Sequence, residues 1–528
     1  MSSMHTDTST SPPRRSVAEH SLHTEEEIAQ WLVEQLAANL ELDEEEIDRR
    51  RPMTEFGLDS LEAVTLTGDL EDVLNRRLPP TLLFEYPTIE ALARHLANLV
   101  QATEAIEEES VIPIATGERT SNGFEDHPVY RDLRSQLEMV ESLALFNPFF
   151  VAIEGVNGAS TTIEGQPYIN FSSYNYVGLS GHPEVNRAAI EAVETMGTSA
   201  SASRLASGEK PIHRQLEREI AEFIGVDDAV VYIGGHTTNM STIACLVGPG
   251  DVVFHDSLAH DSVLQGCRLS GARQIPFPHN DWRALERLMA QRRGRYRNAL
   301  VVIEGVYSMD GDIPDLKQFI ETKRRHNAWL MVDEAHSLGV LGRTGRGISE
   351  YFSVLPRDVD IWMGTLSKSL ASCGGYIAGS TALVTMLKYR SHGFVYSAGM
   401  PPSNAAAALA ALRQLRHEPE RVARLHARIA RFLNGAKERG LDTGLSGGGA
   451  VVPIMVGAAD LCLQLTDAIC RRGVLAHPMV YPAVAQNEAR LRFFITSEHT
   501  DEQIDRTLDI LAEELRTLSA KKTSTVAG

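Results

Sequence analysis

Hydrophobic positions at helical spacing open the readable part of the chain. Ile28, Leu32, Leu36 and Leu40 recur every fourth residue, which marks one face of an α-helix. Thr24 and Glu27 precede them at the spacing of a reciprocal capping box. Pro52 and Gly57 predict a loop, and a second helix starts near Ser60 with Leu61, Val64 and Leu70 inward. Pro79-Pro80 breaks the chain. A last helix is predicted from about Thr88 to Val100, with Ile89, Leu92 and Leu96 on one face. The pattern over residues 22–102 is that of a small all-α, four-helix bundle.

Over residues 103–127 the periodicity dissolves into Glu, Ser, Thr and Gly, the composition of a flexible linker. Beyond it, short β-branched runs at 230–233, 252–254, 300–303, 330–332 and 360–362 alternate with helical stretches such as 211–224 and 315–326. That alternation predicts a large, mainly parallel α/β sheet with helices on both faces, and a smaller C-terminal α+β part, within 128–518. Thr500 and Gln503 repeat the capping-box spacing ahead of Ile504, Leu508 and Leu511. Residues 1–21, polar and rich in Ser, Thr and Pro, and the tail 519–528 are expected to be disordered.

At 528 residues the chain is long enough for two or more domains. Its formal net charge of −20 argues against nucleic-acid binding, which needs basic patches. The acidic stretches 41–48 and 104–109 read as solvated surface or as a module that docks on basic partners. Five cysteines without a CxxC pair fit neither a metal site nor a disulfide framework, and a reducing compartment suits them. Arg14-Arg15 is followed by no apolar signal region, and no apolar run is long enough to span a bilayer. A cytoplasmic protein that binds no membrane is expected.

Two constellations carry chemistry. In the first, Ser60 ends a Gly-Leu-Asp-Ser run at a helix start. A phosphate ester there would face free N–H groups and the positive helix end; a plain N-cap serine is the other reading. Around that serine, residues 24–101 resemble acyl carrier domains, particularly those of polyketide assembly lines. The resemblance implies 4'-phosphopantetheine on Ser60. It also implies a phosphopantetheinyl transferase and an upstream acyl-loading or polyketide synthase enzyme as partners.

The second constellation lies at strand ends. Lys368 follows a predicted strand within small residues, where desolvation would lower its pKa and free the amine; a solvated surface lysine is the alternative. The Asp333-Glu334-Ala335-His336 run follows another strand, where α/β sheets bind ligands. The same four letters occur in a helicase motif, but no GxxxxGK[ST] precedes them. Either histidine of the 255–260 segment could be a satisfied loop residue or could stack on a flat heteroaromatic ring. The glycine pair at 234–235 could cradle a phosphate.

Residues from about 145 to 515 resemble the α-oxoamine synthases, the group of serine palmitoyltransferase, aminolevulinate synthase, glycine acetyltransferase and aminooxononanoate synthase. The stretches 278–281, 304–311 and 332–339 carry the resemblance. It implies the fold of type I pyridoxal 5'-phosphate (PLP) enzymes and a homodimer with shared active sites. By resemblance Lys368 is the Schiff-base lysine, Asp333 partners the ring nitrogen, His336 the ring hydroxyl, and His260 stacks on the ring. Gly235, His236 and Thr365 match positions around the cofactor and its phosphate, although the family usually has an aromatic ring where this chain has His236. Ser308 matches a position beside the cofactor, and Ser397 a phosphate contact supplied by the other subunit. Arg492 matches the clamp for the amino acid's carboxylate, a role suited to its bidentate fork. Tyr174 lies in a version of its motif similar to that of serine palmitoyltransferase, and glycine-using relatives usually have Asn there.

The expected reaction is therefore a decarboxylative, Claisen-like condensation of an amino acid with an acyl thioester held on the fused carrier domain. It yields an α-amino ketone and CO2, with serine ahead of alanine and glycine, in a polyketide or other secondary-metabolite pathway. Its rivals are an aminotransferase acting on a carrier-bound substrate, a synthase using free acyl-coenzyme A, and a non-catalytic scaffold.

Overall fold

The computed structural model describes the chain except for residues 1–23, 41–42, 45–46, 57–65, 68–69, 71–72, 75–77, 79–81, 109–122, 143–144, 482, 486 and 527–528. Ser60, Leu61, Val64 and Pro79-Pro80 thus lie outside the described residues. The chain divides into two compact units, Met1–Arg119 and Thr120–Gly528.

In the first unit the helix Glu25–Leu40 is closed by the expected capping box. Thr24 N–H donates to Glu27 Oε2 at 3.0 Å, and Glu27 N–H to Thr24 Oγ1 at 3.2 Å. Ile28, Leu32 and Leu36 are fully buried against Ile89, Leu92 and Leu96 of the helix Ile89–Glu108, with Leu66 and Leu70 in the same core. Burying each such side chain is worth about 1.5–3 kcal/mol, which is what holds a bundle this small together. The Ile89–Glu108 helix continues eight residues past the predicted end at Val100, into the stretch read as linker.

Among its described residues the second unit holds thirteen strands. β1 (Ser160–Ile163) and β2 (Gln166–Asn170) form a hairpin. The central sheet contains β3 (Asp228–Tyr232), β4 (Val252–Asp256), β5 (Arg273–Phe277), β6 (Ala299–Glu304), β7 (Trp329–Asp333), β8 (Ile361–Thr365) and β9 (Gly375–Gly379). Its order is β3-β9-β8-β7-β6-β4-β5, with β9 antiparallel to both neighbours and the other pairings parallel. The parallel strands are near-continuously apolar because helices cover both faces. Strand β9, which ends at Gly379, is not among the strand runs expected from the sequence: Tyr376, Ile377 and Ala378 bury completely between β3 and β8.

The smaller part has β10 (Val451–Gly457), β11 (Val474–Leu475), β12 (His477–Met479) and β13 (Ala489–Phe494). β10, β13 and β12 form an antiparallel sheet, and β11 joins β2 in parallel. The last helix, Asp501–Val526, is capped by Thr500 and Gln503 as expected and reaches into the stretch 519–528 read as a tail. Among the described residues no helix is long and apolar enough to cross a membrane.

Candidate active site

Four strands of the central sheet end within reach of one cleft. β6 ends at Glu304 and β7 at Asp333, which are register partners across the ladder, and β8 ends at Thr365. β4 ends at Asp256, four residues before His260. Carboxyl ends of parallel strands place side chains where the backbone turns away and leaves a crevice. A cavity of about 260 Å³ lies there, walled by Gly235, His236, His260, Asp333, His336, Thr365 and Lys368, with Asn239, Ser262 and Glu304 among its other liners.

Asp333 is buried and held from two sides. Asn239 Nδ2 donates to its Oδ2 at 2.7 Å, and Ala335 N–H to its Oδ1 at 2.9 Å. Asn239 stands one turn into the helix Gly235–Leu246, so the turn that follows β3 and the carboxylate that ends β7 are tied together. Gly235 opens that helix against Thr365: a Cβ there would sit 3.1 Å from Thr365 Oγ1, tighter than most side-chain contacts. His260 caps the next helix, with Nδ1 2.7 Å from Ser262 Oγ and its backbone N–H donating to Glu304 Oε1 at 2.8 Å. His255, the other candidate, is a buried β4 residue whose Nδ1 lies 2.8 Å from the Asp256 carbonyl oxygen, and it does not line the cavity.

Lys368 reaches the cavity from the loop after β8. Its Nζ lies 2.8 Å from His336 Nε2, and His336 Nδ1 lies 2.7 Å from the hydroxyl of Tyr176. Desolvation, with Arg492 adding to it, pulls the Lys368 amine down to about 8 against the opposing charges of Asp333 and Glu304. Burial, then Asp333, pushes the Glu304 carboxyl up to about 8. Burial and the nearby cations hold His336 well below the usual imidazole range.

The opposite wall comes from the smaller part and the segment after β2. Arg492 on β13 donates from Nη1 to the carbonyl oxygen of Ser308 at 3.0 Å and stands over Phe494 at 4.8 Å. Its Nε is buried without a partner. Desolvation lowers its pKa from the ordinary guanidinium value. Tyr174 is 42% exposed, with its ring 5.4 Å from Lys368 Nζ and edge-on to Phe494 at 4.8 Å. Ser308, Arg492 and Tyr174 stand outside the lining of the 260 Å³ cavity, as does Ser397, on the turn after the short helix His392–Val395. His236 is exposed, with its ring 6.2 Å from that of His260.

Behind the cavity lies a buried ionic cluster. His279 bridges Asp256 at 2.9 Å and Asp312 at 3.1 Å. Tyr307 donates to Asp256 at 2.8 Å, and Asn280 Nδ2 to Asp312 at 2.7 Å. Burial alone would pull the His279 imidazole down, but the two carboxylates push it up to about 10. The cluster ties together the loops that follow β4, β5 and β6, and Asp310 on the last of these pairs with Arg490 of β13.

Residues 166–511 match the family described as Aminotransferase class I and II, and residues 30–96 match the Phosphopantetheine attachment site. The 8-amino-7-oxononanoate synthase of Geobacter sulfurreducens is 40% identical over 386 residues, 72% of this chain and 97% of the relative. The chain belongs to the α-oxoamine synthase family. The synthase of the same name from Symbiobacterium thermophilum is 38% identical, over 73% of this chain and 98% of its own. Among solved structures, serine palmitoyltransferase from S. paucimobilis with bound PLP–myriocin aldimine superposes with a TM-score of 0.71 at 29% identity, covering 74% of this chain and 98% of that one.

As an α-oxoamine synthase, the protein is a PLP-dependent acyltransferase with a phosphopantetheine attachment domain. The residues present fit PLP. An amine near 8, a buried carboxylate, a neutral imidazole and the amino end of the helix Gly235–Leu246 converge on one cavity, and Asn239 Oδ1 is buried there without a partner. Tyr176, Asn239, Ser262 and Glu304 were given no role of their own from the sequence, although Glu304 opens one of the stretches that carry the resemblance. Glu304 carries the one available signal, since like Asp333 it ends an apolar strand run; the others depend on where the helices turn.

Proposed function

We propose that this synthase condenses an amino acid with an acyl thioester carried on its own attachment domain, releasing CO2 and an α-amino ketone. The observation that carries this reading is the presence of both family matches in one chain, residues 30–96 and 166–511. The phosphopantetheine thiol on Ser60 holds the acyl group and leaves when the new carbon–carbon bond forms. Fusion raises the local concentration of the thioester at the cleft.

Bound PLP supplies the electron sink for the negative charge that develops at the amino acid's α-carbon. Asp333 would hold the ring nitrogen in its protonated form, His336 would donate to the ring oxygen, and His260 beside His236 would cover the ring face. The backbone at Gly235 and the hydroxyl of Thr365 would bind the phosphate, with Ser308 beside the ring and Ser397 serving the partner subunit's site in a homodimer. Lys368 would hold the cofactor through its amine, and the same amine would be the base for the α-proton. Arg492 binds the substrate carboxylate. Tyr174 beside Lys368 narrows the choice of amino acid, in the order serine, alanine, glycine. The acyl group comes from an upstream loading or polyketide synthase enzyme in the cytoplasm, after a phosphopantetheinyl transferase has modified Ser60.

Absorbance titration of the purified protein with serine, alanine and glycine tests the chemistry. A cofactor band that shifts with serine at the lowest concentration supports the reading; no band after added PLP sinks it. Ser60→Ala tests the donor: it is expected to abolish turnover of carrier-loaded acyl groups and to spare any turnover of an acyl-coenzyme A. Full activity of the loaded pathway in Ser60→Ala would rule out the carrier role.

A further inference from the structure

Tyr176 is fully buried, two residues beyond Tyr174, with its backbone held by Tyr174 and Ser497. The polar partner of its hydroxyl is His336 Nδ1 at 2.7 Å, and on the far side of the same imidazole Nε2 meets Lys368 Nζ at 2.8 Å. Three groups thus stand in line, from a buried phenol to the amine in the cleft. The charged groups that face the imidazole are Lys368 from the loop after β8, Arg492 from β13 and His260 from the loop after β4, and each disfavours a proton on it. The imidazole is therefore neutral, with one N–H to place.

Two placements exist. If Nδ1 carried the hydrogen, it would donate to the phenol oxygen, and the phenol's own hydrogen would be left buried with no acceptor among the described residues. Buried polar hydrogens are almost always paired. If the phenol donates to Nδ1, its hydrogen is satisfied and the imidazole hydrogen sits on Nε2, facing Lys368. Burial holds the phenol well above its usual pKa, so its hydrogen stays in place throughout the physiological range.

We propose that Tyr176 is a positioning residue that fixes His336 as the Nε2–H tautomer, so that the imidazole always offers a donor hydrogen to the reacting side of the cleft. With the cofactor absent that hydrogen points at the lone pair of the Lys368 amine once the amine, held at about 8, has lost its proton. With PLP bound it would point at the ring oxygen. The second half rests on the function proposed above; the tautomer does not. Tyr176 touches neither amine nor cofactor and acts through His336 alone.

The test has two arms on the full chain. Histidine-selective 15N NMR of the cofactor-free protein at a pH above 8, where the Lys368 amine is neutral, with His336→Gln to identify the resonance, reads the tautomer directly. The expected result is Nε2–H in the wild type and a mixture of tautomers in Tyr176→Phe. A wild-type hydrogen on Nδ1, or an unchanged pattern in Tyr176→Phe, overturns the proposal. The second arm records the absorbance of the PLP-loaded enzyme against pH. Tyr176→Phe is expected to lower the ratio of the long-wavelength to the short-wavelength cofactor band by about three- to tenfold, the factor one hydrogen bond is worth. Fluorotyrosine at position 176, which keeps the hydroxyl, is expected to restore the ratio; failure to restore it overturns the assignment to the hydroxyl. A wild type with no cofactor band would sink the PLP reading and leave the NMR result standing.

Discussion

Desolvation in the cleft brings the Lys368 amine to about 8, so a fraction of it is unprotonated near neutral pH, where an exposed lysine would be almost wholly charged. A free amine is what attack on a carbonyl and later proton abstraction both require. Lys368→Ala is expected to lower turnover by about 10³-fold or more, on the scale of a lost general base, and to leave the protein without a covalently held cofactor, which borohydride reduction followed by absorbance would show. Arg492→Lys keeps the charge but loses the fork. It should raise the KM for the amino acid by about tenfold, with a smaller change in kcat, the signature of lost ground-state binding. At His279 the prediction concerns stability. A histidine raised to about 10 binds its proton more tightly in the folded than in the unfolded chain. Its contribution is complete below about 6.5, the unfolded value, and is lost as pH rises through about 10. Stability of the wild type over His279→Asn, measured by urea unfolding, should therefore shrink between pH 6.5 and 10; a difference that grows over that range would contradict the cluster as described.

At the scale of elements, the helix Glu25–Leu40 and its partner Ile89–Glu108 carry the first unit. Leu92→Ala should cost that unit about 2–5 kcal/mol, the usual range for a buried leucine, without altering the cofactor absorbance of the second. Differential scanning calorimetry with the spectrum recorded in parallel checks both halves. The capping boxes at Thr24 and Thr500 and the apolar strand runs were legible in the sequence because their signals are local: a spacing of three, or a run of β-branched residues. β9 was not legible, because its flanking glycines look like loop residues until β3 and β8 close over it. Tyr176 and Asn239 were missed for a similar reason, since they reach the site through contacts 160 and 94 residues away in sequence. Within the Asp333–His336 run, chemistry and architecture are interleaved. Glu334 points away from the cleft cavity, accepts from Ile348 N–H at 3.0 Å and packs where Gly347, at φ 86°, leaves no room for a side chain.

Across the whole molecule, the proposed function implies that joining a carrier to its synthase turns a bimolecular encounter into an intramolecular one. Short flexible tethers give effective concentrations of about millimolar. Expressed as separate chains split near residue 119, the two units should reach the fused enzyme's rate only when the carrier is supplied at about that concentration; a titration of the acyl-loaded carrier in trans measures it. Saturation at low micromolar carrier would mean that affinity between the units, and not the tether, delivers the substrate.

The His279 cluster also bears on how this catalyst could be redesigned. Because Asp256, Asp312 and Asn280 fasten three loops to one buried cation, the wall that bears His260 is stiff, and enlarging the pocket on that side would strand charges in the interior. Tyr174 stands apart from that cluster and is open to solvent, whereas Phe494 beside it is buried under Arg492. Libraries aimed at new amino acid partners should therefore be concentrated at Tyr174, where volume can change without disturbing the buried cluster.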